Sequence, residues 1–100
     1  MSEQSENQDQ SQLHTFTLKV SNKMGVHARP AAMIVRITSR YAGDIWVTKE
    51  DERINAKSIM GIMMLAAAKG TALKFETNSP QAEDFEKEMT ELFAAKFQDE

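Results

Sequence analysis

A histidine and an arginine stand two residues apart in the segment Gly25-Val26-His27-Ala28-Arg29-Pro30. Proline suits the first turn of a helix, so a helix is predicted to begin near Ala28. None of His27, Ala28 and Arg29 is a preferred N-cap residue, which leaves the first N–H groups of that helix without an obvious side-chain partner. Such N–H groups favour an anion, and arginine adds a fork of donors that fits phosphate oxygens. The segment therefore predicts an anion site beside an imidazole.

An imidazole in this position can do covalent chemistry, because it is largely neutral and nucleophilic near pH 7. Phosphoryl transfer depends on positioning and on charge stabilisation more than on elaborate bond chemistry. His27 is therefore predicted to accept a phosphoryl group, with Arg29 against it. On spacing alone the alternative stays open that His27 is simply a solvated residue and Arg29 a surface charge. His14 lies in the polar tail and is interpreted as having no chemical role.

The elements that must position these residues follow from the hydrophobic pattern. Alternation of apolar and polar residues predicts strands over 16–20, 44–49, 53–56 and 71–78. Helical spacing predicts helices from about Ala28, after Ser58 and after Ser79, with Pro80 at the first position of the last helix. The order β-α-β-β-α-β-α predicts an α+β fold, a two-layer open-faced sandwich. Its four-stranded antiparallel sheet is expected to be covered on one face by three helices.

The short second helix is predicted to have two apolar faces. The Ser58 hydroxyl is expected to cap it. Ile62 and Leu65 are expected to enter the core, because one short helix cannot bury both faces in so small a domain. The other face would then form an exposed docking patch, for which methionine is well suited; its residues are Ile59, Met60 and Met63. The alternative is that all these side chains belong to the core.

Composition limits the classes of function. The chain has 100 residues and a net charge of −3, which predicts one domain over 14–100 and no nucleic-acid partner. Residues 1–13 are polar and are expected to form a disordered tail. The apolar stretch 59–68 is far shorter than the roughly 20 residues of a membrane helix, so no membrane insertion is expected. No metal cluster or nucleotide loop is evident, so we expect no metal or cofactor, and we expect a monomer.

Two blocks of the sequence resemble one known family. The run Gly-Val-His-Ala-Arg-Pro-Ala at 25–31 is similar to the active-site signature of HPr, the histidine-containing phosphocarrier of the bacterial phosphoenolpyruvate-dependent phosphotransferase system. The run Asn-Ala-Lys-Ser-Ile-Met-Gly-Ile-Met at 55–63, followed by Lys69-Gly70, is similar to the second-helix region of that family. The resemblance covers about residues 15–97. It implies the same open-faced fold.

The resemblance also implies a function. His27 would take phosphate from Enzyme I on its Nδ1 atom and give it to an A-type Enzyme II domain in sugar uptake. Arg29 would lie against the phosphoryl group. Ser58 would match the serine that a serine kinase/phosphorylase modifies in some branches, where a transcriptional regulator is a further partner. Such a protein is a cytoplasmic carrier rather than an enzyme.

Two other functions remain open besides that of a carrier in sugar uptake. One is a regulatory module of the same fold, either a catabolite-repression corepressor or a member of the nitrogen-related branch, which the closing run at 92–97 resembles. The other is a generic α+β binding domain with an idle histidine. That last hypothesis requires His27 to be buried or turned away from solvent.

Overall fold

The computed structural model describes residues 13–99, and the predicted tail up to residue 12 lies outside that range. Four strands and three helices follow one another in the predicted order β-α-β-β-α-β-α. They are β1 (His14–Lys19), α1 (Ala28–Thr38), β2 (Ile45–Lys49), β3 (Glu52–Asn55), α2 (Ile59–Met64), β4 (Ala72–Thr77) and α3 (Ala82–Ala94). A 3-10 turn over Lys96–Gln98 follows α3. Within residues 13–99 no helix is both long enough and apolar enough to span a membrane.

The four strands form one antiparallel sheet in the order β1-β4-β2-β3. Phe75 on the inner strand β4 pairs with Phe16 of β1 on one side and with Val47 of β2 on the other. These residues are buried, whereas their neighbours along each strand face outward or lie at the margin. The helices pack on this apolar face, so the predicted open-faced sandwich is confirmed.

Aromatic rings fill the layer between the sheet and the helices. Phe75 and Phe16 stack at 5.3 Å between ring centroids, and Phe85 of α3 meets both of them edge-on. Phe93, about two turns further along α3, meets Phe75 at 90°. Such offset and edge-to-face contacts stabilise a core beyond the burial of area alone. The position of α3 over β1 and β4 is therefore fixed by aromatic packing.

Two predictions from the sequence are wrong: the position of His14 and the start of the last helix. His14 does not lie in a polar tail: it begins β1 opposite Thr77, and its Nε2 atom lies 2.6 Å from Glu86 Oε1. The last helix begins at Ala82 rather than directly after Ser79. The Ser79 hydroxyl does accept a hydrogen bond, from the Gln81 N–H at 3.2 Å, but this bond closes the turn before the helix.

A charged cluster joins the end of α1 to α3. The Tyr41 hydroxyl donates to Glu88 Oε1 at 2.6 Å, and Arg40 donates to the other oxygen of the same carboxylate. The hydrogen bond to Glu88 is the main cause that raises the pKa of Tyr41 to about 12, and burial adds to it. The same two donors lower the pKa of the Glu88 carboxyl. The contact is therefore fully formed when Tyr41 is protonated and Glu88 is ionised.

Tyr41 provides a clean test of this cluster because the chain has only one tyrosine. A raised folded-state pKa means that the contribution to stability is complete below pH 10 and is lost as the pH rises through about 12. Ultraviolet titration of tyrosinate should give a midpoint near 12 in the intact protein. Glu88→Gln should move the midpoint back toward 10, whereas Glu91→Gln on the same helix should not. A midpoint near 10 in the intact protein would contradict the contact.

Candidate functional site

The loop before His27 is held in one conformation by its packing against the segment after α2. The Val26 N–H donates to the Ala67 carbonyl at 2.9 Å. Gly25 has a φ of +74°, and a Cβ atom at this position would lie 2.5 Å from that same carbonyl oxygen. Only glycine combines this left-handed conformation with so close an approach. The backbone that presents His27 is therefore fixed by a glycine and a buried hydrogen bond.

His27 is the N-cap residue of α1 and has an extended backbone conformation. Its side chain does not cap the first turn, which agrees with the sequence analysis. The side chain is 37% exposed, so the imidazole is not buried as the idle-histidine hypothesis required. Its Nε2 atom lies 3.1 Å from Asp99 Oδ2. No described residue forms a hydrogen bond with Nδ1.

Asp99 is the functional neighbour that sequence reasoning missed. Its Oδ2 atom accepts from His27 and, at 3.0 Å, from Asn22 Nδ2, while its Oδ1 atom accepts from Arg29 Nη2 at 3.1 Å. These hydrogen bonds, with the one from His27 the largest, lower the pKa of the Asp99 carboxyl to about 2. Asp99 is therefore ionised at neutral pH, and an internal carboxylate lies in the predicted anion site.

The chain reaches this position through a tight turn after α3. Lys96, Phe97 and Gln98 all have φ near +55°, a left-handed conformation that non-glycine residues rarely adopt. Phe97 is fully buried, and its ring lies 4.8 Å from that of Phe93. Arg29 Nη2 also donates to the carbonyls of Phe97 and Gln98, at 3.0 and 3.3 Å. Burial of Phe97 and the Arg29 hydrogen bonds offset the backbone strain and carry Asp99 to the site.

Asn22 links the turn and the loop at the centre of the site. Its Nδ2 group donates to the Gly25 carbonyl at 2.8 Å as well as to Asp99. Arg29 is partly exposed, and its Nη1 atom lies 3.4 Å from the sulfur of Met33. The structure thus brings together the predicted pair, His27 and Arg29, with two residues that carry no local motif.

The helix α2 has the two faces that the sequence predicts. The Ser58 hydroxyl accepts from the Gly61 N–H at 2.9 Å and so caps the helix. Ile62 and Leu65 are buried in the core. The other side of the helix is exposed and carries Ile59, Met60, Met63 and Met64, of which Met64 was not among the predicted docking residues. Met24, in the loop before His27, is exposed as well. We call these five residues the methionine patch.

A backbone hydrogen bond connects the loop before His27 to the segment that follows α2. The segment that leaves α2 is the one to which Val26 donates, one residue before His27. Lys49 Nζ donates to the Leu65 carbonyl at 2.9 Å and so fixes the end of α2. Among residues 13–99 no three His, Asp or Glu side chains converge as metal ligands would. The site therefore consists of a partly exposed imidazole, a guanidinium and an exposed apolar surface.

Comparisons with known proteins agree with this description. Residues 14–95 match the family model described as PTS HPr component phosphorylation site. The chain is 41% identical over 81 residues to phosphocarrier protein HPr of Neisseria meningitidis, covering 81% of this chain and 91% of that protein. It is 42% identical over 83 residues to the HPr-like protein Crh of Bacillus subtilis, covering 83% of this chain and 93% of that protein.

A solved structure shows the same fold. The crystal structure of HPr-C-His from Thermoanaerobacter tengcongensis matches with a TM-score of 0.81 and 39% identity, covering 87% of this chain and 98% of that one. Fold and sequence similarity together define a small phosphocarrier domain. The chain belongs to the HPr family of phosphocarrier proteins of the bacterial phosphotransferase system.

The carboxylate of Asp99 should compete with an external anion for Arg29 and His27. Asp99→Asn removes the charge at nearly constant shape, so inorganic phosphate should bind up to about fivefold more tightly, the range of an exposed ion pair. The measurement is a titration with inorganic phosphate, followed by the NMR signals of His27 and Arg29. Asp51→Asn, in the exposed turn between β2 and β3, is the matched control. Equal phosphate affinity in both variants would contradict the competition.

Proposed function

We propose that this protein carries a phosphoryl group on Nδ1 of His27. It would accept the group from Enzyme I, which is charged by phosphoenolpyruvate, and pass it to an A-type Enzyme II domain in sugar uptake. In each step a nitrogen–phosphorus bond forms on one protein while the bond between phosphorus and the donor group breaks. The carrier would act as a monomer in the cytoplasm.

The observation that carries the proposal is the contact between His27 Nε2 and Asp99. A carboxylate only accepts hydrogen bonds, so a neutral imidazole must place its proton on Nε2 to make this contact. The lone pair then lies on Nδ1, which no described residue blocks. Asp99 thus selects the tautomer in which Nδ1 is the nucleophile.

The same carboxylate would leave Arg29 when the phosphoryl group arrives. A phosphoryl group carries more negative charge than a carboxylate and presents three oxygens, so it is the stronger partner for the guanidinium. The uncapped first turn of α1 would contribute N–H donors to the same oxygens. A few exposed donors stabilise the cargo without enclosing it, which a reversible carrier requires.

The methionine patch would be the surface on which these partners dock. It is apolar and exposed, and the hydrogen bond between Val26 and Ala67 joins it to the histidine loop. Unbranched methionine side chains adapt to different surfaces, which suits a carrier that must meet a donor and an acceptor in turn. A partner seated on the patch would cover the region beside His27, where transfer takes place.

His27→Ala should abolish labelling by phosphoenolpyruvate and Enzyme I, while the melting temperature stays close to that of the intact protein. The side chain is partly exposed and is not part of the core, so its removal should leave the fold intact. The measurement is phosphate incorporation, followed by acid treatment, in which phosphohistidine is lost.

His14→Ala is the matched control, because His14 is the only other histidine of the chain. It should be labelled like the intact protein. Labelling that persists in His27→Ala and disappears in His14→Ala would reverse the assignment.

We infer a second, regulatory role for Ser58. It stands at the start of α2, next to Ile59 and Met60 of the patch, and the similarity to the HPr-like protein Crh favours a regulatory branch. A phosphoryl group there would add about −1.5 to −2 charges at a helix N-terminus, which stabilises the helix locally. The same charge would repel acidic partners that dock beside it. A serine kinase/phosphorylase and a transcriptional regulator would be the partners of this form.

The two properties of Ser58 can be separated by substitution. Ser58→Ala should lower the free energy of unfolding by about 1 kcal/mol through loss of the cap, and it should lose labelling by the kinase with ATP. Ser58→Asp should keep most of the stability, because Asp is also a good N-cap residue. Ser58→Ala should still accept phosphate on His27 from Enzyme I. Labelling of Ser58→Ala by the kinase would place the modified residue elsewhere.

A further inference from the structure

Sulfur chemistry in this protein is confined to thioethers. The chain has seven methionines and no cysteine. Met24, Met60 and Met64 are 72%, 71% and 69% exposed, and Met63 is 40% exposed. Met89, on the buried face of α3, is by contrast not exposed. An oxidant in solution therefore meets the thioethers of the methionine patch and not that of the core.

Three of the exposed thioethers lie within one and a half turns of α2. Met60 and Met63 are three residues apart and Met60 and Met64 four, spacings that bring side chains onto the same side of a helix. The buried residues Ile62 and Leu65 anchor this helix from its opposite side. A chemical change at the exposed sulfurs thus alters the surface without opening the core.

We propose that Met24, Met60, Met63 and Met64 form a reversible oxidation site for hydroperoxides, and that their oxidation weakens partner docking. The second part of this proposal rests on the proposed carrier function. The methionine sulfur donates a lone pair to one oxygen of the peroxide, and the O–O bond breaks. One oxygen remains on sulfur as the sulfoxide, and with hydrogen peroxide the other leaves as water with both protons. A methionine sulfoxide reductase, with a dithiol as reductant, reverses the step.

The consequence for docking follows from the change in polarity. A sulfoxide is polar and chiral, so it no longer packs as a flexible apolar side chain. A partner seated on the oxidised patch would have to desolvate the sulfoxide oxygens or leave them in contact with water. His27, Arg29 and Asp99 carry no sulfur, and the thioether of Met33, which lies beside Arg29, is half-buried. The transfer step itself should therefore be unaffected once a partner is bound. The expected effect is therefore on KM and not on kcat.

The first experiment treats the full chain with hydrogen peroxide and follows each methionine by site-resolved mass spectrometry. The sulfoxide should form at Met24, Met60, Met63 and Met64 well before it forms at Met89. The melting temperature should stay close to that of the untreated protein. Oxidation of Met89 at the same rate as the patch, or resistance of the patch, would overturn the proposal.

The second experiment measures phosphate acceptance from Enzyme I before and after oxidation. The KM should rise by about fourfold or more, the loss of about one buried methylene at an interface, with kcat unchanged. Treatment with the reductase should restore the original KM. An unchanged KM on fully oxidised protein would overturn the link to docking.

A variant with all four residues changed to leucine is compared with its own untreated KM. The KM of this variant should not change on treatment with peroxide, because leucine carries no sulfur. If the KM of the variant rose as it does in the intact protein, the damage would lie elsewhere and the proposal would be overturned. An untreated protein that takes no phosphoryl group at all would instead overturn the carrier function. In that case the mass-spectrometric result alone tests the oxidation site. Failure of the oxidation site and failure of the carrier function are therefore distinguishable.

Discussion

The hydrogen bond from the Val26 N–H to the Ala67 carbonyl joins two segments that lie far apart in the sequence. On one side of it lies the loop that presents His27, and on the other lies the segment that follows α2. The bond can form because Gly25, with a φ of +74°, adopts a left-handed conformation in which a Cβ atom would lie 2.5 Å from that carbonyl oxygen. This backbone hydrogen bond thereby holds the loop of His27 against the end of α2.

Electrostatics at the site depend on a carboxylate that belongs to the protein itself. Asp99 gathers donors from Asn22, His27 and Arg29, and its lowered pKa follows from those three hydrogen bonds. In the resting protein it satisfies the charge of the guanidinium and fixes the imidazole tautomer. An incoming phosphoryl group would find the donors already oriented, although the Asp99 carboxylate would have to leave Arg29.

Much of the fold could be predicted from local patterns. Alternation of apolar and polar residues predicted the four strands, and helical spacing predicted the three helices. Both patterns are informative because each element buries one face, and the spacing of its apolar residues indicates that face. The predictions from the sequence are wrong where two local signals compete. Ser79 has the side chain of an N-cap, but Thr77 and Ser79 use their hydroxyls to close a turn, and α3 begins three residues later. Phe97 fits the helical spacing, yet it is buried from a left-handed turn.

For the site, the sequence by itself determined the uncapped helix start at His27, with Arg29 beside it, and the cap at Ser58. These features are local: an uncapped helix start, a neighbouring guanidinium and a hydroxyl three residues before the N–H group it accepts from. Only the tertiary structure decided that Asp99 completes the site, since its contacts with His27 and Arg29 span 72 and 70 residues of sequence. No local pattern encodes such a contact. The contact of Asp99 with His27 and Arg29 depends on the packing of Phe97 against Phe93, which brings Asp99 to the first turn of α1.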